Sequence, residues 1–414
     1  MTGCVSLVTL LACGSRTDID LLPPGGIDAG VDASVVPEGG VAPLPPTCPS
    51  WTATAAPAQV SSIASIVDVE TAVAVPTGVL VGYADIQFPP VDPNWHGRVV
   101  SFGDAALGPE QTYFTRAGGS VGWTAISFAQ GFGRAAAAAA DTSDGALFAG
   151  IDPTGDPSGS VSHVGTGEVK HLLATPGGFT ALTSPFSLDD SGDNPGPVSI
   201  ATLDGAGNLQ ASTVLVSDTP ALQYYTRVAY SDGTFALLWT TQSASETVIL
   251  QHFSSTGSPL AQPKTLQPPG ANGFALTAAP TSTGLLLVST DGTGMKLLAS
   301  PFDRDGNQQG VATMFAEASS SVDEFALAGA PGGDVLVAWF DSGAGGGDET
   351  QVRVISVAAS GSPEGPATTI ASTMAAENSS LVAVAAPGGA MVFYDDEAQG
   401  SIEVFAVPLK CSSF

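Results

Sequence analysis

Positive charge is what this chain has least of: 11 Lys and Arg stand against 39 Asp and Glu in 414 residues, for a formal net charge of −28. Such a surface repels phosphate backbones and anionic lipid headgroups, which excludes direct nucleic-acid binding and charge-driven adhesion to a bilayer. Charged residues of both signs reach only 12 % and aromatics 7 %. No apolar run approaches the roughly 18 residues of a membrane-spanning helix. The histidines, His96, His163, His171 and His252, have no metal-ligand spacing. Neither a P-loop nor a dinucleotide fingerprint occurs.

Glycine (50), proline (31) and an apolar content of 43 % are what the chain has instead. That is ample for a packed core and far from the composition of a disordered chain. Short alternating runs of Val, Thr, Ala and Leu, broken by Gly, Pro, Asp and Ser, predict an all-β protein. Seven times a small-residue strand runs through a Gly-bearing turn into a bulkier strand: Ala72–Tyr83, Arg134–Ile151, Leu172–Phe186, Arg227–Trp239, Ala275–Val288, Ala326–Trp339 and Leu381–Tyr394. The turn glycines fall 67, 33, 55, 51, 49 and 56 residues apart (Gly78, Gly145, Gly178, Gly233, Gly284, Gly333, Gly389). A repeat of this period signals a modular array. The uneven first two spacings read as an insertion over 118–133 and a shortened second unit.

A second marker keeps step with the first. Gly207, Gly257, Gly306 and Gly361, each followed by Asn or Ser, mark a further hairpin in their units. Two hairpins give four strands, and four strands per repeat of about 50 residues is the size of a propeller blade. The last unit stops one strand short, and Pro49–Val60 is left over before the first. The expected fold is therefore an all-β propeller of seven four-stranded blades, closed by an N-terminal strand in the last blade. Rings of six or eight blades, and tandem sandwich domains, are the alternatives. Cys48 would begin the closing strand and Cys411 would end its neighbour, so the two are expected to form a disulfide.

The N-terminus carries a short apolar stretch, Cys4 to Gly14. Within it Leu10-Leu11-Ala12-Cys13 resembles the lipobox of bacterial lipoproteins, although no Lys or Arg precedes it. The resemblance implies cleavage before Cys13 and lipid attachment there. Residues 14–47, rich in Pro, Gly and Asp, resemble the spacers of Gram-negative surface lipoproteins. The expected organisation is a leader (1–13), an extended linker (14–47) and a propeller (48–414). It implies an exported protein at the outer membrane or cell surface, otherwise secreted, whose membrane contact is its lipid anchor alone.

Candidate chemistry is sparse. The connection after the second strand is acidic in every unit, and Asp189, Asp193, Asp341, Asp348, Asp395 and Asp396 are its densest representatives. On one face of a ring they would form an acidic rim for Ca²⁺ or a basic ligand; no other cofactor is expected. Gly118-Gly119-Ser120-Val121-Gly122 matches a nucleophile elbow in letters, but no strand–helix alternation surrounds it. Asp303, Asp305 and Asn307 have the first spacings of a calcium loop, yet Gln308 and Met314 break the pattern, leaving a hairpin turn. Ser231-Asp232-Gly233-Thr234 with Trp239 resembles the Asp-box turn of sialidase-like propellers, with the wrong spacing. Trp95 and His96 are expected in a loop, read as a plain surface loop ahead of one that lines a carbohydrate-like site. The expected function is a monomeric surface module that binds or scaffolds an unidentified protein, glycan or cation. A propeller-type glycan hydrolase or lyase, and a structural spacer without ligand, are the alternatives.

Overall fold

A computed structural model describes residues 48–61, 66–86, 94–115, 126–141, 145–164, 168–184, 198–216, 222–230, 232–241, 247–267, 276–322, 324–329, 333–343, 349–374, 380–386, 389–398 and 401–411. Two short strands come first, Trp51–Ala53 (β1) and Ala58–Gln59 (β2). Blade one is Ile66–Val75 (β3), Gly78–Ile86 (β4), Asn94–Val100 (β5) and Leu107–Thr115 (β6); blade two is Ile126–Gly131 (β7), Arg134–Asp141 (β8), Gly145–Ile151 (β9) and Pro157–His163 (β10). Blade three is Glu168–Thr175 (β11), Gly178–Ser184 (β12), Val198–Asp204 (β13) and Leu209–Val216 (β14); blade four is Leu222–Ala229 (β15), Phe235–Thr241 (β16), Thr247–Phe253 (β17) and Lys264–Leu266 (β18). Blade five is Leu276–Pro280 (β19), Gly284–Thr290 (β20), Lys296–Asp303 (β21) and Thr313–Glu317 (β22); blade six is Phe325–Gly329 (β23), Val335–Ser342 (β24), Thr350–Val357 (β25) and Thr368–Thr373 (β26). Blade seven is Leu381–Ala386 (β27), Gly389–Ala398 (β28) and Ser401–Cys411 (β29).

Blades one to six are antiparallel meanders, each strand paired to the next. In the seventh, β1 and β2 both pair with β29, Trp51 opposite Cys411 and Ala58 opposite Ala406, and together fill the outer position. Because strand side chains alternate between faces, every blade buries residues against both neighbours. Trp95 packs with Phe128 between blades one and two, Phe148 with Phe179 between two and three, and Leu182 with Phe235 between three and four. Leu238 meets Leu287 between four and five, Val288 meets Trp339 between five and six, and Leu336 meets Tyr394 between six and seven. The deciding cluster is the seventh, where Phe393 and Val384 of blade seven pack on Val81 and Ala72 of blade one. An open row of seven sheets has one interface fewer. The ring is closed.

The Cys48–Cys411 disulfide sits on this seam, with Cα atoms 5.5 Å apart across 363 residues of chain. Trp51 reaches beyond its own sheet and donates its indole N–H to Ser356 Oγ of blade six at 2.8 Å. The closing strand is thus held to two blades. Around the axis, inner strands of neighbouring blades form no ladder, so their backbone groups take side-chain partners. Thr71 Oγ1 accepts the Phe128 N–H at 3.4 Å, Ser127 Oγ accepts the Leu172 N–H at 2.9 Å, and Arg227 donates to the Leu172 carbonyl at 2.8 Å.

Blade two corrects the sequence reading. The alanine run is its second strand, and Ile126–Gly131, assigned above to an insertion, is its inner strand. Ala137 and Ala139 face blade one beside Phe128, and Ala136 and Ala138 face blade three beside Phe148 and Phe179. Large rings on both sides leave room only for methyl groups, and this packing overrides alanine's helix preference. With Gly133 as the turn glycine, the spacings from Gly78 and to Gly178 become 55 and 45 residues.

Turns between third and fourth strands form a second inter-blade lock. At 204–208 the Gly207 N–H bonds the Asp204 carbonyl at 3.0 Å, and the Asp204 N–H bonds the Asn208 carbonyl at 3.0 Å. Such a loop needs a left-handed residue, and Gly207 has φ +83°. Its missing Cβ matters as much, because one would overlap the buried Phe148 ring of blade two. Ser162 of blade two donates to the Gly207 carbonyl at 3.2 Å, and Thr180 of blade three does the same to Ser255 of blade four at 2.9 Å. Gly207→Ala combines left-handed strain with overpacking, so a loss of about 2–4 kcal/mol in urea unfolding is expected. A loss below about 1 kcal/mol would mean that blades two and three do not meet there.

Candidate functional site

Among the described residues, one grouping of polar and aromatic side chains lies where the inner turn of blade four meets the outer turn of blade five. Tyr230 directly follows the inner strand of blade four, and its N–H closes the turn on the Thr234 carbonyl at 2.9 Å. Inside this turn, Asp232 Oδ1 accepts the Thr234 hydroxyl at 2.6 Å and the Thr234 N–H at 3.0 Å. Arg304, from the turn after β21, donates to Asp232 Oδ2 at 2.7 Å, and its guanidinium lies 4.4 Å from the centre of the Tyr230 ring. His252 of β17 tilts against Tyr230, with ring centres 5.6 Å apart.

Both members of the ion pair keep 47 % of their side-chain surface exposed, so the pair itself adds at most about 1 kcal/mol of stability. Burial raises the Asp232 carboxyl, but hydrogen bonds from Thr234 and the Arg304 guanidinium outweigh it and bring its pKa to about 2. Burial lowers the His252 imidazole and favours its neutral form, partly offset by Asp305. Burial raises the Tyr230 phenol. Tyr230 Oη and His252 Nε2 are both buried without a hydrogen-bond partner among the described residues. Buried polar atoms of this kind call for a bound water or ligand atom. The arrangement therefore offers exposed donors and acceptors over an aromatic floor, with unsatisfied polar groups beneath.

The acidic residues fall elsewhere. Asp395 is completely buried on the seam, where its carboxylate accepts the Val69 N–H at 3.1 Å and the Ser380 N–H at 3.0 Å. Asp341 is also completely buried; it accepts the Ser319 N–H at 2.7 Å and pairs with Arg353 at 2.8 Å. Asp396 accepts the Met374 N–H at 2.9 Å. Asp341 and Asp396 share one role, each clamping the chain as it leaves the preceding blade. Asp341 and Asp395 are thus turned inward and not toward solvent as the rim expected above would need, whereas Asp396 is partly exposed. Asp189, Asp193 and Asp348 lie outside the described residues, as do Cys13 and the Gly118–Gly122 segment. Among the described residues no group of three or more His, Cys, Asp or Glu side chains is placed to hold a metal ion.

Two further expectations change. Trp95 and His96 are in strand β5 rather than a loop; Trp95 is a core residue against Phe114, and His96 is buried and stacked on Tyr83. Asp152 and Asp156, expected after a second strand, occupy the third-to-fourth-strand turn of blade two. The Asp303 turn is the hairpin expected, closed by Asn307 N–H on Asp303 Oδ1 at 2.7 Å. No sequence signal joined Tyr230, His252 and Arg304; the first two share blade four, and Arg304 reaches them through blade stacking.

No protein-family model matches the chain, and no curated protein matches it in sequence. Solved structures do. The β-propeller domain of the trilobed protease from Pyrococcus furiosus is similar at 8 % identity and TM-score 0.49, covering 85 % of this chain and 98 % of that one. The WD40 β-propeller domain of Doa1 is similar at 15 % identity and TM-score 0.47, over 86 % of this chain and 96 % of that one. A structure from a study of two prolyl endopeptidases is similar at 15 % identity and TM-score 0.45; 84 % of this chain is covered but only 51 % of that one, so this chain spans about half its length. At such identities the likeness concerns shape and carries no activity.

Proposed function

We propose that the protein is an exported binding or scaffold module, anchored through lipid at Cys13 and spaced from the membrane by residues 14–47. One observation carries this reading: the ring is closed by a disulfide whose Cys48 is fully buried. A structural disulfide of this kind belongs to an oxidising compartment, outside the cytosol. The excess of acidic over basic residues suits a protein that stays soluble beside anionic headgroups. Asp341, Asp395 and Asp396 accept backbone amides, which supports a structural rather than an acid–base role for these three.

Replacing Cys13 by Ser tests the anchor. In a Gram-negative host the native chain is expected in the outer-membrane fraction and the Cys13→Ser chain in the soluble periplasmic or culture fraction. Unchanged membrane association of the variant would overturn the anchor.

A further inference from the structure

We propose that Phe132, Asp232 and Arg304 form a binding site for a neutral glycan. The site deepens the binding-module reading and is tested separately from its anchor.

Phe132 is the observation that starts the argument. Together with Gly133 it makes the two-residue turn between β7 and β8, with φ +51° and +75°. Both values are positive, as in a type I′ hairpin turn, whose first position favours Asn, Asp or Gly. A bulky ring at positive φ is strained, a state that costs about 1–3 kcal/mol and persists where something else requires the side chain. Core packing is not that requirement, because 46 % of Phe132 is exposed. The only other non-glycine residue at positive φ among the described residues, Ala105, is buried.

The ring leans across blade three towards blade four. Its Cζ is 3.4 Å from the position a Gly233 Cβ would take, and Pro176 of blade three contacts that same position at 2.8 Å. Gly233 directly follows Asp232, so the Phe132 ring and the half-exposed Asp232–Arg304 pair meet at the same turn of blade four. An apolar ring, a carboxylate acceptor and a guanidinium donor thus come to one turn, from blades two, four and five.

The chemistry of the occupant follows from charge. With a net charge of −28 the protein repels anions, and Arg304 in the site disfavours a free cation. What remains is a neutral molecule with an apolar face and several hydroxyls. A sugar ring fits: its C–H face lies on Phe132, and adjacent hydroxyls donate to Asp232 and accept from Arg304. Binding leaves no charge unpaired, because the ion pair stays intact.

Phe132→Asn separates ligand binding from folding, since Asn suits the turn better than Phe does. The probes are maltohexaose, cellohexaose and chitohexaose, titrated into the full chain by calorimetry, with oligogalacturonate as an anionic control. Expected are binding of at least one neutral probe, a loss of about tenfold or more in affinity with Phe132→Asn and with Arg304→Ala, and a melting temperature for Phe132→Asn equal to or above that of the native chain. No binding of any neutral probe, equal or tighter binding of oligogalacturonate, or native affinity in Phe132→Asn would each overturn the proposal. So would a lower melting temperature for Phe132→Asn, because the ring would then be a packing element.

Discussion

Removing the Cys48–Cys411 bond lowers the stability of the ring more than any other single change expected from this structure. The bond closes a loop of 363 residues. Chain-entropy arithmetic for a loop of that length gives about 4–6 kcal/mol, an upper figure because denatured chains retain structure. The effect is concentrated at one place, since β1 carries only three residues and depends on the bond to stay beside β29. Urea unfolding of the oxidised native chain and of the Cys48→Ala/Cys411→Ala double variant measures it directly. A markedly lower midpoint for the variant is expected, with loss of the β1 pairing first. Equal midpoints would show that the seam is held by packing alone.

The second large effect is expected at Asp395, on the same seam but at the inner end of the blade. Its carboxylate receives two backbone N–H groups, one from Val69 in β3 of blade one and one from Ser380, the residue before β27. Asp395→Ala strands both donors in a fully buried position, where each unsatisfied group costs about 1–3 kcal/mol. A loss of about 2–5 kcal/mol is therefore expected, and a smaller one for Asp395→Asn, which keeps one acceptor oxygen. Asp396→Ala is the internal control: its neighbouring carboxylate is partly exposed and holds the single Met374 N–H, so about 1 kcal/mol is expected. If Asp395→Ala were no worse than Asp396→Ala, the seam would not depend on this residue.

Much of this architecture was legible in the sequence because its local chemistry is repeated. Gly207, Gly257, Gly306 and Gly361 recur where a left-handed turn residue must also pass close to the preceding blade. The leftover segment Pro49–Val60 and the unpaired final strand identified each other, and the two cysteines marked their meeting point. Blade two was misread for a specific reason. Its inner hairpin turns on Phe132-Gly133, and Phe is not a residue that turn preferences assign to such a position. The strand before it, Ile126–Gly131, therefore looked like an insertion, and the alanine run was moved one strand inward.

The acidic pattern shows a different limit. Asp recurring after the second strand was visible, but its direction was not, because strand alternation does not say which carboxylate finds an amide partner. Asp341 and Asp396 turned out to clamp the incoming chain of the preceding blade, and Asp395 to join the first blade to the last. The Tyr230–His252–Arg304 grouping was invisible for a related reason: Arg304 belongs to another blade, 74 residues beyond Tyr230. Contacts between blades depend on stacking, which no single repeat encodes.

The central claim is that the blades close on themselves, and one measurement bears on it most directly. Val60 bonds the Val404 carbonyl at 2.7 Å in blade seven, and β3 of blade one begins at Ile66. Six residues span at most about 20 Å, whereas seven sheets stacked in a row at about 10 Å spacing would put the end blades about 60 Å apart. A Cys48–Cys411 bond together with the Val60–Val404 pairing is therefore compatible with a ring and not with a row. Peptide mapping of the unreduced protein by mass spectrometry, after export to an oxidising compartment, is expected to yield one cross-linked species joining the Cys48 and Cys411 peptides. Recovery of both cysteines as free thiols, or of either one paired with a different cysteine, would contradict a ring closed at this bond.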